Sequence, residues 1–496
     1  MKKFIYIVLS VLILGACDEG FEDLNVDPTK PVQVDVRNKL TATQLYTSGE
    51  RYENWRANLI YCSTMMQHFA TTAGYWSGDK YTWNQGYASS MIDRIYGNAV
   101  KSVEDMLLQF DTDETLPEEM RAITRIWRVV IYHRLTDLYG DVPYSEAGKA
   151  VIDGILTPKY DAQSAIYADM LKELEESVAV LSGGGTSGFG DADLIFKGDI
   201  TKWKKFGNSM MLRLALRLIK VDAAGAQAWA TKAINGGVME SNADIAYIQH
   251  QLGPDGINRN GNGEVFTADG SPRLSKTFVD FLQDDPRLPI LGARRGDGST
   301  NPADLIGFPN GLDLTMLKDM TGEDNTNAYA EPNRSIITGE DAPMFFQTYA
   351  EVEFMLAEAA ERWGLAGGDV KSHYENGVRA AMTFLVIYKP EAEITNAQVD
   401  AYLAAKPFDA GNALEQINTQ YWAATFMNEY EAFANWRRTG LPALVPVNYP
   451  GNVTNGTIPR RLTYSTSEQS NNVENYNAAI AAQGPDELTT RVWWDK

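Results

Sequence analysis

Residues 160–181 read "YDAQSAIYADMLKELEESVAVL", and their spacing decides the fold class. Tyr167, Met170, Leu171, Leu174, Val178 and Leu181 stand at offsets of 0, 3, 4, 7, 11 and 14 residues, so a 3.6-residue turn gathers them on one face. The stretch is an amphipathic helix, and Asp161 stands where a capping side chain is expected.

The same design recurs outward from it. Residues 199–220, "DITKWKKFGNSMMLRLALRLIK", place Trp203, Phe206, Met210, Leu214 and Leu218 on one side. A shorter helix is predicted over 223–236, "AAGAQAWATKAING", stopping at Gly236-Gly237. In 349–364, "YAEVEFMLAEAAERWG", Val352, Met355, Leu356, Ala359 and Trp363 line up, and Gly364 closes the helix. Paired amphipathic helices with small alanine positions and short turns resemble tetratricopeptide packing, but no strict 34-residue period is visible. The Met and aromatic stripes are core.

Two irregular regions interrupt the helices: residues 250–310, rich in Gly, Asn, Asp and Pro, and residues 321–343, "TGEDNTNAYAEPNRSIITGEDAP". Unstructured stretches of this length in a compact fold are usually functional or disordered. The segment "RNGNGEVF" reads as a turn-rich loop, and residues 440–496 read as irregular.

The N-terminus carries Lys2-Lys3, then an apolar run from Phe4 to Leu14. That run is too short to span a bilayer, which needs about 20 residues, and it has the layout of an export signal. Leu14-Gly15-Ala16-Cys17 resembles a lipobox, in which the cysteine is diacylated and becomes the mature N-terminus; a plain secretory signal is the alternative. Two acyl chains anchor stably where one does not. The expected organisation is a signal over 1–16, a lipidated tether over 17–36 containing Pro28 and Pro31, and one body over 37–496. With Cys17 acylated, Cys62 has no partner; within "NLIYCSTMMQHF" it reads as a buried small hydrophobe.

The chain has 496 residues, 44% hydrophobic, with a net charge of −21, which is enough for a large core and argues against nucleic-acid binding. His68, His133, His250 and His373 form no metal-ligand spacing, and neither a G-x-S-x-G nor a phosphate-loop motif occurs. "DTDETLPEE" (111–119) opens like a calcium loop but lacks its later glycine and glutamate, so it reads as a link between helices whose acids cap the next one. No cofactor or metal is implied. A pair of glycosidase carboxylates is neither pointed to nor excluded among 65 acids.

The candidate binding stretch is "TTAGYWSGDKYTWNQGY" (71–87). Tyr75, Trp76, Tyr81 and Trp83 crowd a loop with Asp79 and Lys80. Flat rings stack on the C–H faces of sugars, and polar neighbours fix hydroxyl orientation. Alternatively the rings fold inward and anchor the loop: this is favoured for Trp83, and both readings stand for Tyr75 and Trp76. Tyr329, from the second irregular stretch, joins the candidate set.

Five segments in order, "FEDLNVDPTKP" (21–31), "DLYGDVPYSEA" (137–147), "FMLAEAAERWG" (354–364), "EAFANWRRTGLP" (431–442) and "RVWWDK" (491–496), resemble the SusD/RagB family of surface nutrient-binding lipoproteins, in the SusD-like 2 branch. Asp18-Glu19 directly after Cys17 resembles the surface-export signal of such bacteria. The resemblance implies a mainly α fold, with a tetratricopeptide-like helix-pair scaffold and irregular loops forming the ligand face. It implies a lipid-anchored protein on the outer face of the outer membrane. There it would capture oligosaccharides, or in some members peptides, without cleaving them, and pass them to a SusC-like TonB-dependent transporter. No family motif carries ligand contacts over, so the site residues rest on the loop reading. A surface-anchored glycoside hydrolase is the alternative from another class.

Overall fold

The computed structural model describes residues 34–150, 153–253 and 256–496. The expected signal peptide, Cys17 and most of the tether lie outside the described residues. The first helix among the described residues, α1 (Val36–Ser48), starts at the last residue assigned to the tether, and Asp35 caps it by accepting from the Arg37 N–H at 2.8 Å.

The principal helices that follow are α2 (Lys101–Thr112), α3 (Glu118–Tyr139), α4 (Gln163–Val180), α5 (Ile200–Arg217) and α6 (Ala223–Gly236). After a loop-rich stretch come α7 (Tyr349–Trp363), α8 (Val370–Thr383), α9 (Ala413–Ala424) and α10 (Glu429–Thr439). Sequence neighbours pack on one another: α2 on α3, α3 on α4, α4 on α5, α5 on α6, and α7 on α8. Contact between α5 and α7 joins the two groups of helices, and α10 lies against a π-helical stretch, Asn54–Ser63. This is the expected helix-pair scaffold.

The apolar faces read from the sequence are the buried ones. In α4, Tyr167, Met170, Leu171 and Leu174 are buried, as are Trp203, Phe206, Met210 and Leu214 in α5. Each such side chain contributes about 1.5–3 kcal/mol on leaving water. Helix ends follow local chemistry. Asp199 caps α5 by accepting from the Lys202 N–H at 3.0 Å, Thr348 and Glu351 form a reciprocal capping box on α7, and Gly364 ends α7 at φ 65°.

The expected cap on α4 is not made. Asp161 lies in a two-residue strand, Tyr160–Asp161, paired antiparallel with Val142–Pro143. Its carboxylate accepts from the backbone N–H groups of Tyr144 at 3.2 Å and Ser145 at 2.7 Å. A short acidic side chain serves whichever backbone donors lie nearest, and here the strand partner presents them. The link at 111–119 does join α2 to α3, and Glu118 and Glu119 occupy the first turn of α3, but the N-cap is Pro117, without a side-chain bond.

Two regions read as irregular hold helices. Gly261–Ala268 is helical because the Asn260 side chain accepts from the Gly263 N–H at 3.1 Å. A Cβ on Gly263 would lie 2.3 Å from the Gly339 carbonyl, so the glycine permits close backbone approach there. Near the C-terminus, Thr466–Asn471 and Val473–Gln483 are also helical.

Four of the segments that carry the family resemblance, those from 137–147 onward, contribute charged or aromatic side chains to the interior. Arg438 Nη1 and Nη2 donate to Glu358 Oε1 and Oε2, each at 2.6 Å, joining α10 to α7. Arg213 donates to Glu351 at 2.6 Å and Arg217 to Glu431 at 2.7 Å, tying α5 to both of those helices. Asp137, at the C-terminal end of α3, accepts from the Tyr167 hydroxyl and from the Trp494 indole at 3.1 Å, and it lies 3.5 Å from Arg217 Nε. All these charges are buried, so removing one partner would leave an uncompensated charge in the interior.

His68, His133 and Cys62 are structural, as expected. His68 Nδ1 lies 2.6 Å from Glu429 Oε2, and His133 Nδ1 lies 2.8 Å from the Val130 carbonyl oxygen. Cys62 is buried and unpaired, and burial raises its thiol well above the ordinary range.

Candidate functional site

The aromatic loop over 71–83 is clamped on three sides. Its entry, Phe69–Ala70, pairs antiparallel with Arg273–Leu274. On the inner side Gly78 approaches the π-helical stretch so closely that a Cβ would lie 2.4 Å from the Ile60 carbonyl oxygen and 2.6 Å from the Tyr61 Cα. On the outgoing side Tyr81 sits in the left-handed region at φ 52°, its carbonyl accepts from the Val453 N–H at 2.9 Å, and its hydroxyl accepts from the Val447 N–H at 3.3 Å. A non-glycine residue held there costs on the order of 1 kcal/mol or more, and the surrounding bonds over-determine it.

These clamps sort the candidate residues into two classes. Trp76, Asp79 and Tyr81 are interior, with at most 1% of each exposed, and in this conformation none can touch a ligand. The Trp76 indole N–H donates to Asp269 Oδ2 at 2.9 Å. Asp79 lies 3.0 Å from Lys80 Nζ and accepts from the Asn310 amide at 2.7 Å, while Lys80 donates to the Thr71 carbonyl at 2.7 Å. Desolvation pushes the Asp79 carboxyl above the usual carboxylate range, against the pull of Lys80. The physical reason is polar satisfaction: an indole N–H and a carboxylate placed inside a loop serve its own backbone and neighbours first.

Tyr75 and Trp83 face solvent, 40% and 50% exposed. The Tyr75 hydroxyl donates to Asp269 Oδ2 at 2.7 Å and lies 3.1 Å from Ser271 Oγ; partial burial, reinforced by the Asp269 carboxylate, raises its pKa, so it stays a donor. Trp83 precedes the short helix Gln85–Ala88 and does not fold inward; its indole N–H reaches Thr463 Oγ1 at 3.1 Å while much of the ring remains open. Tyr329 is half-buried, its ring edge-on to Phe308 with centroids 4.8 Å apart, and Phe308 packs with Ala70 at the root of the loop.

The tertiary structure adds residues the sequence did not single out. Trp55, half-buried, meets the Tyr75 ring at right angles, with centroids 6.5 Å apart. Tyr449 donates to Asp313 at 3.1 Å, and its ring lies 5.9 Å from Lys80 Nζ. Asp269, 194 positions from Tyr75, fixes the loop from outside it. Nothing local in the sequence marks Trp55 as a neighbour of Tyr75, or Asp269 as the anchor of a distant tyrosine.

A separate groove lies away from the loop. A space of about 710 Å³ between α2, α3, α4 and the segment after α3 is lined by Glu104, Arg125, Arg128, Tyr144, Asp169 and Glu173 among others. Its central groups pair with one another: Arg128 donates to Glu104 and to the Tyr144 hydroxyl, each at 2.6 Å, and Tyr144 donates to Asp169 at 2.7 Å. It contains no candidate aromatic. Among the described residues no His, Cys, Asp and Glu group is arranged to hold a metal ion, and no helix is long and apolar enough to cross a membrane.

Comparison with known proteins fits the fold. A solved chitin-binding protein is 35% identical, with a TM-score of 0.83 over 93% of this chain and 100% of that one. A SusD homolog from Bacteroides uniformis is 25% identical, with a TM-score of 0.76 over 94% and 100% of the two chains. A chitin-binding SusD homolog from Flavobacterium johnsoniae, 23% identical over 93% and 98%, shares the fold with a TM-score of 0.77. None of the curated proteins compared with the chain matches it. The SusD-like 2 family, described as starch-binding and associating with the outer membrane, matches residues 28–465. With that match running from before α1 to beyond α10, and with a helical scaffold that presents clamped aromatic loops, the chain belongs to the SusD-like family.

Proposed function

We propose that this protein is a non-catalytic glycan-binding lipoprotein of the cell surface, anchored through Cys17 in the outer membrane, that delivers its ligand to a SusC-like TonB-dependent transporter. The observation that carries this reading is the pair of solvent-facing rings, Tyr75 and Trp83, on a loop locked by Asp269 and by Tyr81. A ring held at a fixed angle binds a sugar face without first losing its own freedom. The chitin-binding relative at 35% identity supports a saccharide as ligand.

The carboxylates nearest the loop, Asp79 and Asp269, are buried and hydrogen-bonded to Lys80 and Trp76 of the loop, which leaves them poorly placed as a general acid and base. The test is calorimetric titration of the purified chain with a panel of oligosaccharides, including N-acetylglucosamine oligomers, and with peptides. Saccharide binding without release of reducing sugar is expected. Binding of peptides alone would move the protein to the peptide-capturing branch, and product formation would overturn the non-catalytic reading.

A further inference from the structure

Beside Tyr75, the surface changes character. Among the described residues, the arginines with no carboxylate oxygen within 4.0 Å are Arg51, Arg56, Arg94, Arg134 and Arg437. Arg134 and Arg437 are buried. The other three, the solvent-accessible ones, are all on one patch, in a chain that carries 65 acids and a net charge of −21.

The three stack on rings. The Arg56 guanidinium lies 3.8 Å from the Tyr52 ring centroid and 5.3 Å from that of Tyr87. Arg94 lies 4.7 Å from the Tyr52 ring, and Arg51 lies 5.6 Å from Trp55. Trp55 in turn meets Tyr75 edge to face, so the patch is continuous with the exposed ring of the candidate loop. A guanidinium stacked on a ring is held in plane while its edge N–H donors stay free, and two parallel donors match a carboxylate or a sulfate. Arg56 uses one of its five donors on the Tyr52 carbonyl, at 3.0 Å.

None of the acids nearby has a carboxylate oxygen within 4.0 Å of the three guanidinium groups, although the Arg51 and Arg94 charges pull against burial at Glu264 and Glu53. Glu53 is buried beneath it and pushed up to about 7 by desolvation, so near neutral pH much of it is uncharged. Asp93 accepts from the Ser89 hydroxyl at 2.7 Å. Glu50 and Glu264 stand farther than 4.0 Å from any of the three arginines.

We propose that Arg51, Arg56 and Arg94, stacked on Tyr52, Trp55 and Tyr87, form a subsite for the anionic group of an acidic saccharide, either a uronate carboxylate or a sulfate ester, next to the sugar ring carried on Tyr75. This rests on the glycan-binding reading of the loop and names the class of ligand.

The test uses the purified chain and two matched pairs of probes: an oligogalacturonate against its fully methyl-esterified form, and a sulfated malto-oligosaccharide against the unmodified one. At least one acidic member is expected to bind at least tenfold more tightly than its neutral partner, and the pair that shows this distinguishes carboxylate from sulfate. The combined variant Arg51→Gln, Arg56→Gln and Arg94→Gln is expected to abolish that difference and to leave the neutral partner within twofold. Should the combined variant not fold, Arg94→Gln alone, whose exposed guanidinium rests on one ring, is expected to reduce the preference about threefold or more. Equal binding of both members of each pair, or a preference that survives the substitutions, would overturn the anionic subsite and leave the glycan-binding reading standing. Absence of binding to all four probes and to the wider saccharide panel would overturn both.

Discussion

Tyr75 and Trp76 donate to one and the same oxygen, Asp269 Oδ2, at 2.7 and 2.9 Å. Adjacent in sequence and sharing that oxygen, they differ in burial: Tyr75 is 40% exposed and Trp76 fully buried. One carboxylate therefore anchors the loop through the tryptophan and aims the tyrosine.

Trp76→Ala is expected to destabilise the fold by about 3–5 kcal/mol, the usual cost of emptying an aromatic core site, and to lower the melting temperature clearly. Tyr75→Ala and Trp83→Ala, which remove solvent-facing rings, should change stability by about 0.5 kcal/mol or less while weakening saccharide binding. Thermal melts and calorimetric titrations of the three variants separate the two classes; a stable Trp76→Ala protein would refute the anchor role.

Tyr75→Phe keeps the ring and removes its bond to Asp269. The ring then loses its fixed angle, so affinity should fall part of the way toward that of Tyr75→Ala, with stability nearly unchanged. Affinity equal to wild type would show that orientation by Asp269 is irrelevant to binding.

The Arg438–Glu358 fork is expected to make stability depend on acid. Burial alone would raise the Glu358 carboxyl, but Arg438, aided by Arg362, holds it down to about 2. In the unfolded chain a glutamate titrates near about 4.3. The stabilisation is therefore fully present above that value and is lost as pH falls from there through about 2. Glu358→Gln should cost about 3–5 kcal/mol at neutral pH, and the gap from wild type should narrow between pH 4 and pH 2 in denaturant titrations.

The Cys62 thiol should be inert to thiol reagents in the native protein, since it is buried and its thiolate is disfavoured there. In a chain starting at residue 18, labelling should appear only on unfolding, in step with the loss of helical signal. Rapid labelling under native conditions would show that the π-helical stretch carrying it opens locally.

Cys17→Ala should release the protein from the membrane fraction and leave saccharide affinity unchanged, because the aromatic loop is built from residues far along the chain. Retention of the variant in membranes would refute the lipid tether.

Sequence alone determined the helices and their inward faces, because a 3.6-residue spacing of apolar side chains is a local property that packing only has to honour. Tyr167, Met170, Leu171 and Leu174 are buried as their spacing implied. It also determined the family, through short segments, among them those whose charged residues Arg438 and Glu358 pair with each other and Glu431 and Asp137 face Arg217 in the interior. The loop residues were legible as a cluster but not as individuals. Whether an aromatic side chain in a loop is covered depends on the chain that packs around it, and for Tyr75 and Trp76 the shared acceptor that holds both, Asp269, comes from 194 and 193 residues away. The cap expected at Asp161 is not made because the backbone donors of Tyr144 and Ser145 take its carboxylate, and the expected irregular region over 250–310 holds a helix at Gly261–Ala268, which Asn260 caps and Gly263 lets pack closely on the Gly339 backbone. The stacked arginines beside Trp55 belong wholly to the tertiary structure, since only the folded chain shows which cations lack a carboxylate.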